Sequence, residues 1–132
     1  MDLNDIDLVE AAGRGITVHL VHPITDEDLF AADGTPVTIT VLGRDSAQWQ
    51  KASKKIGARL KAKHKKTVPP EAVEASLREV LSHCTTSWNN IEFAKEVLDC
   101  NQGNALQIYT DRVWVAEQIL AKAVDRAELL LI

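Results

Sequence analysis

Four histidines, two cysteines and nineteen carboxylates are the side chains of this 132-residue sequence that could ligate a metal or move a proton. A zinc site wants four ligands in two close pairs. Cys84 and Cys100 form no CxxC pair, and the neighbours His83 and Cys84 would point about 100° apart on a helix. Two cysteines are too few for a disulfide framework, so both read as buried thiols in a reducing compartment. His19 and His22 lie in and at the end of a strand pattern, His64 ends a basic helix, and His83 sits mid-helix. None accompanies a GxSxG, HExxH, Walker or GxGxxG pattern, and Gly13-Arg14-Gly15 lacks the third glycine of a dinucleotide loop. The expectation is therefore a protein that is not an enzyme, with no cofactor and no metal.

Charge is the other chemistry on offer. Residues 44–66 hold nine Lys/Arg against one Asp, while the rest holds six against eighteen, so a net charge of −4 conceals a strip of +8 and a remainder of −12. Lys51, Lys55, Arg59 and Lys63 recur every four residues and so share one helix face. Such a face can neutralise phosphates, which makes nucleic-acid binding through residues 51–66 the alternative reading. Base-reading modules, however, add Arg, Asn, Gln or stacking aromatics. This strip is mostly Lys, and its aromatic, Trp49, falls on a different, apolar stripe. An acidic protein surface, including that of another copy, is the better fit, and Lys51, Lys55, Arg59 and Lys63 are the candidate protein-binding residues.

The elements that must carry these residues follow from periodicity. Asp5 to Ala12 reads as a short helix with Ile6, Val9 and Ala12 at helical spacing, ended by Gly13-Arg14-Gly15. Ile16, Val18 and Leu20, then Val37, Ile39 and Val41, alternate with other residues at the period of half-buried strands. They predict an antiparallel hairpin over 16–42, with a long acidic connection and a tight turn at Asp33-Gly34. Asp45 with Gln48 three residues on predicts a helix start, and Trp49, Ala52, Ile56 and Leu60 form its core stripe. Pro70 suits the first position of the next helix, with Val73, Leu77, Val80, Leu81 and Cys84 on one side. Thr85 to Asn90 reads as a break around Trp88, and Ile91-Glu92-Phe93 as a short extended piece. Asn101 should cap a brief helix through Tyr109, and Asp111 a last one bearing Val115, Ile119, Ala123 and Leu130. The apolar end Leu129 to Ile132 should pack on the core or on a neighbouring subunit.

The predicted fold class is thus α+β and mostly helical: an N-terminal antiparallel β-hairpin packed against three to four α-helices. A single domain over 1–132 is expected, comprising an N-terminal segment 1–15, the hairpin 16–42 and a helical part 45–132. At 45% hydrophobic and 26% charged the composition is that of a globular domain. No apolar run reaches the roughly 18–20 residues of a membrane helix, and Met1-Asp2-Leu3-Asn4-Asp5 lacks the basic head of a secretory signal. A soluble, intracellular protein with no membrane partner is expected.

One ordered set of motifs goes further. Leu42-Gly43-Arg44-Asp45-Ser46-Ala47-Gln48-Trp49 follows a strand, and Trp88-Asn89-Asn90-Ile91 follows a helical middle. Asn104-Ala105-Leu106 with Tyr109, and then Trp114-Val115-Ala116-Glu117-Gln118-Ile119, complete the set. In that order, from about Gly15 onward, the sequence resembles the tail assembly chaperones of long, non-contractile-tailed bacteriophages (the siphophage type). It departs from their pattern in lacking a glycine turn between Glu92 and Asn101, and in ending on Leu129-Leu130 in place of an Asn-Phe-like pair. The resemblance implies a non-catalytic protein of the host cell cytoplasm, absent from the mature virion. Such a protein coats the tape measure protein while tail tube protein subunits assemble around it. It also implies self-association, and a possible longer frameshifted form that contacts the tube protein. On that reading the four basic residues would meet acids of a neighbouring copy or of the client, with Trp49, Trp88 and Trp114 in the core.

Overall fold

The computed structural model describes residues 1–130 of the chain; the packing expected of the apolar end falls outside the described side chains. The fold is α+β, about 52% helical, with a small antiparallel sheet. Helix α1 (Leu8–Arg14) is capped by Asp7, whose carboxylate accepts from Glu10 N, and is stopped by Gly15 at φ +87°. A side chain at Gly15 would be strained there, and its Cβ would press on Thr40 at 3.3 Å. The hydrophobic contribution of α1 differs from expectation. Ala11 and Ala12 are buried, whereas Ile6 and Val9 are exposed, because only the short side chains face the core.

Strands β1 (Ile16–His19) and β2 (Thr38–Val41) pair antiparallel in the register Ile16↔Val41 to His19↔Thr38. Their inner face, Ile16, Val18, Ile39 and Val41, is buried as the alternation requires, while Thr17 and Thr40 meet on the outer face through a 3.0 Å hydroxyl contact. A simple hairpin is not what joins them. The chain between leaves β1, forms isolated bridges Val21↔Asp28 and Phe30↔Pro36, and returns. Leu20 N donates to Val37 O and Leu29 N to Leu20 O, which satisfies the excursion's backbone. The Asp33-Gly34 turn forms as predicted, with Gly34 at φ +86° and Thr35 N donating to the Asp33 carboxylate.

Two further corrections concern the sheet and the helix count. Thr85–Asn89, predicted as a break, is strand β3, paired with the other edge of β2 to give the order β1-β2-β3. Its Thr and Ser residues read as loop, but a strand with a wet face accommodates them, and Thr86 and Ser87 are exposed. A second, two-stranded ribbon follows, β4 (Glu92–Phe93) with β5 (Glu96–Val97). Six helices, not three or four, are present among the described residues. They are α1, α2 (Ala47–Lys63), α3 (Pro70–Cys84), α4 (Gln102–Asp111), α5 (Val113–Ala123) and α6 (Arg126–Leu130).

The caps explain part of the difference. Ser46 caps α2, its Oγ accepting from Trp49 N at 3.1 Å, while Asp45, predicted in that role, takes a bidentate contact from Arg126 at 2.9 Å. Asn101 caps α4 as predicted. Asp111 instead ends α4, and α5 begins without a side-chain cap. The final helix breaks at Val124 and Asp125, so that Arg126 on α6 reaches back to the start of α2.

One cluster of buried residues joins α1, the sheet and helices α2 to α5. Helix α5 lies on β1 and β2, with Val115 and Ile119 buried, and its Gln118 clasps the excursion. Gln118 Oε1 accepts from Val21 N at 3.0 Å, and Gln118 Nε2 donates to Val21 O at 2.8 Å. Tyr109 of α4 is fully buried and sits 2.6 Å from Thr85 Oγ1. Since Thr85 donates its one proton to Leu81 O, the phenol donates to Thr85. Trp49 is buried as expected, and Trp88 and Trp114 are half-buried against the same core. Trp88 Nε1 donates to Leu98 O, tying β3 to the end of the β4–β5 ribbon.

Candidate interaction groove

Helices α2 and α3 pack side by side, joined by the chain through Pro69. Trp49 and Ile56 turn the apolar stripe of α2 inward, with Ala52 and Leu60 half-buried along it. The four-residue repeat of Lys51, Lys55, Arg59 and Lys63 then falls along one margin of the α2/α3 seam. Lys51, Lys55 and Arg59 line one stretch of a groove with Ala52, Glu79 and His83. Arg59 and Lys63 line the next stretch with Leu60, Ala72, Ala75 and Ser76. All four predicted residues are exposed and line two adjoining depressions that share Ile56, Arg59 and Glu79.

They are not electrostatically equal. Arg59 is held by Glu79 of α3 in a salt bridge across the groove, which divides its two stretches. Among the described residues, no carboxylate lies within salt-bridge distance of Lys51, Lys55 or Lys63. Lys61 and Lys63 occupy the last turn of α2, where the helix dipole favours cations. The groove thus has an unneutralised cationic wall on α2 and a floor of Ala and Ile side chains. This arrangement suits an amphipathic segment carrying carboxylates beside small apolar groups.

Sequence reasoning missed the α3 wall. It grouped Val73 and Leu77 with Val80, Leu81 and Cys84 on one side of α3, but they are 49% and 38% exposed, because only the second half of α3 (Val80, Leu81, Cys84) reaches the central cluster. The signal that was present is the row Ala72, Ala75 and Ser76, small residues at helical spacing that let α3 approach α2, followed by Glu79.

The other depressions differ in character. One, beneath the β4–β5 ribbon, is lined by Leu20, Leu29, Ile91, Phe93 and Trp114, with the Arg112 guanidinium 5.8 Å from the Phe93 ring centroid. Another lies between α3 and α5, lined by Leu77, Leu81, Val113 and Leu120. The thiols are separate: Cys84 is buried and its pKa is pushed up to about 11 by burial, and Cys100 is half-buried and shifted in the same direction. Among the described residues no group of three or more His, Cys, Asp or Glu is placed to hold a metal ion, and no helix is long and apolar enough to cross a membrane. No family model matches this chain, and neither a curated protein nor a solved structure is similar to it.

Proposed function

We propose that this chain is a non-catalytic tail assembly chaperone of a long-tailed, siphophage-type bacteriophage. In the host cytoplasm it coats the tape measure protein with copies of itself, helps recruit tail tube subunits, and is left out of the finished virion. The motif order quoted above supports the family. The observation that carries the physical side is the α2/α3 groove, with three unneutralised lysines above an Ala/Ile floor. Such a groove binds an acidic amphipathic segment without making or breaking bonds. Many weak copies along one rod would act together through effective concentration.

Co-expression with a long helical client from the neighbouring reading frames tests this reading. The client should be soluble with the parent chain and aggregate with K51E/K55E/K63E. A client equally soluble with the triple variant would overturn the role of the groove, and a client insoluble with the parent would overturn the chaperone function. Retention on heparin or DNA that falls steeply with salt would instead favour a nucleic-acid role for residues 51–66.

A further inference from the structure

Residues 1–10 are the groove's chemical complement. They carry Asp2, Asp5, Asp7 and Glu10 and no basic side chain. Between these acids Leu3, Ile6 and Val9 are 78%, 51% and 57% exposed. The segment is nonetheless shaped. A 3-10 turn, Leu3–Asp5, is capped by Asp2 through Asn4 N, and Asp7 caps α1. Each capping carboxylate retains free lone pairs for a cation.

The spacings agree. Asp2 is extended, but Asp5 N donates to its carbonyl oxygen, a turn that holds the two residues less than about 7 Å apart. Lys51 and Lys55 are separated by four α-helical residues, about 6 Å at ~1.5 Å per residue. We propose that the acidic segment of one copy seats in the α2/α3 groove of the next copy. Asp2 and Asp5 meet Lys51 and Lys55, and Leu3 and Ile6 lie on the Ala52–Ile56 floor of that stretch.

The occupant is a second copy because, in its own chain, the segment's acids make local contacts, Asp2 with Asn4 N, Asp7 with Glu10 N and Glu10 with Arg14, and leave the groove lysines without a carboxylate among the described residues. Ala11 and Ala12 of α1 are buried, and Gly43 N donates to Ala12 O, which fixes the helix from which the segment emerges. Groove and segment are different surfaces, so the contact is head-to-tail. Repeated from copy to copy, it propagates to a ring or a helical array. Its exposed ion pairs are individually weak and are screened beyond about 8 Å at physiological salt, so the array loosens as salt rises. This inference deepens the coating function proposed above and rests on it for its purpose: the Lys51–Lys55 stretch joins copies and the Lys63 stretch is left to the client, while its test uses the protein alone.

The experiment is light scattering coupled to size exclusion at low salt over a range of concentrations. The parent should form oligomers that grow with concentration and shrink with salt. K51E/K55E and D2K/D5K should each be monomeric, and the combined four-fold variant, with both charges swapped, should regain the parent's size. D2K/D5K also removes the Asp2 cap, so D2N/D5N, which keeps it, is the second segment variant and should give smaller oligomers than the parent. A parent that stays monomeric, segment variants with the parent's size, or a four-fold variant that stays monomeric would each overturn the contact. A monomeric parent that still keeps a helical client soluble would overturn this contact alone and leave the chaperone function standing.

Discussion

Gln118 gives the sharpest test of how the excursion between β1 and β2 is held. Its amide makes two hydrogen bonds to one residue, accepting from Val21 N at 3.0 Å and donating to Val21 O at 2.8 Å, across 97 residues of sequence. Each neutral bond contributes about 1 kcal/mol net, and removing the amide also strands two half-buried backbone groups. Gln118→Leu should therefore cost about 2–3 kcal/mol, a fall in Tm of about 7–11 °C for a chain of this length. Gln118→Glu discriminates further. Ionised, the introduced carboxylate still accepts from Val21 N but faces the Val21 carbonyl oxygen without a proton. Protonated, it donates as the amide does. The folded state thus raises the carboxyl pKa above its unfolded value of about 4.3. By linkage, parent-like stability should be present below about pH 4.3 and lost as pH rises through the folded pKa. Urea denaturation at pH 4 and pH 7 against the parent measures both effects. A leucine variant within 0.5 kcal/mol of the parent, or a glutamate variant whose deficit is the same at both pH values, would refute the reasoning.

Three other outcomes follow from single residues. Ala94 and Lys95 both have positive φ, 53° and 67°, in the two-residue turn joining β4 to β5, a conformation that costs a residue with a Cβ about 1–2 kcal/mol. Lys95→Gly should accordingly raise stability by about 0.5–1 kcal/mol in chemical denaturation after the entropy of the unfolded glycine is deducted, and a loss of stability would refute the turn. Tyr109 is the one tyrosine of the chain, and burial raises its pKa well above the ordinary value near 10. No tyrosinate absorbance should appear as pH passes through about 10 until the protein unfolds, since the neutral phenol is favoured in the fold and its contribution is lost only above the unfolded pKa. A thiol reagent at pH 8 should modify Cys100 first and Cys84 only on unfolding, because Cys84 is buried with its pKa pushed up to about 11. Equal rates would contradict that burial.

The parts of the fold legible in the sequence are those decided over a few residues. Alternation in 16–20 and 37–41 marked two strands, Pro70 and Asn101 marked helix starts, and Asp33-Gly34 marked a turn. The four-residue repeat of Lys51, Lys55, Arg59 and Lys63 likewise placed the candidate residues on one side of α2. Local reading failed where a distant partner decided the outcome. Thr85–Asn89 became a strand because β2 offered an open edge, and Asp45 gave up the helix cap to Ser46 because Arg126 was within reach.

The sequence by itself determined the charge division, the strands β1 and β2, the starts of α3 and α4, and which face of α2 is basic, since each depends only on residue type and local period. Tertiary structure alone decided that this basic face is one wall of a groove, that Arg59 is neutralised by Glu79 while Lys51, Lys55 and Lys63 are left without such a partner among the described residues, and that Leu3, Ile6 and Val9 stay uncovered. Those outcomes depend on which helices meet, and the contacts that settle it lie twenty or more residues apart, beyond the reach of any local pattern.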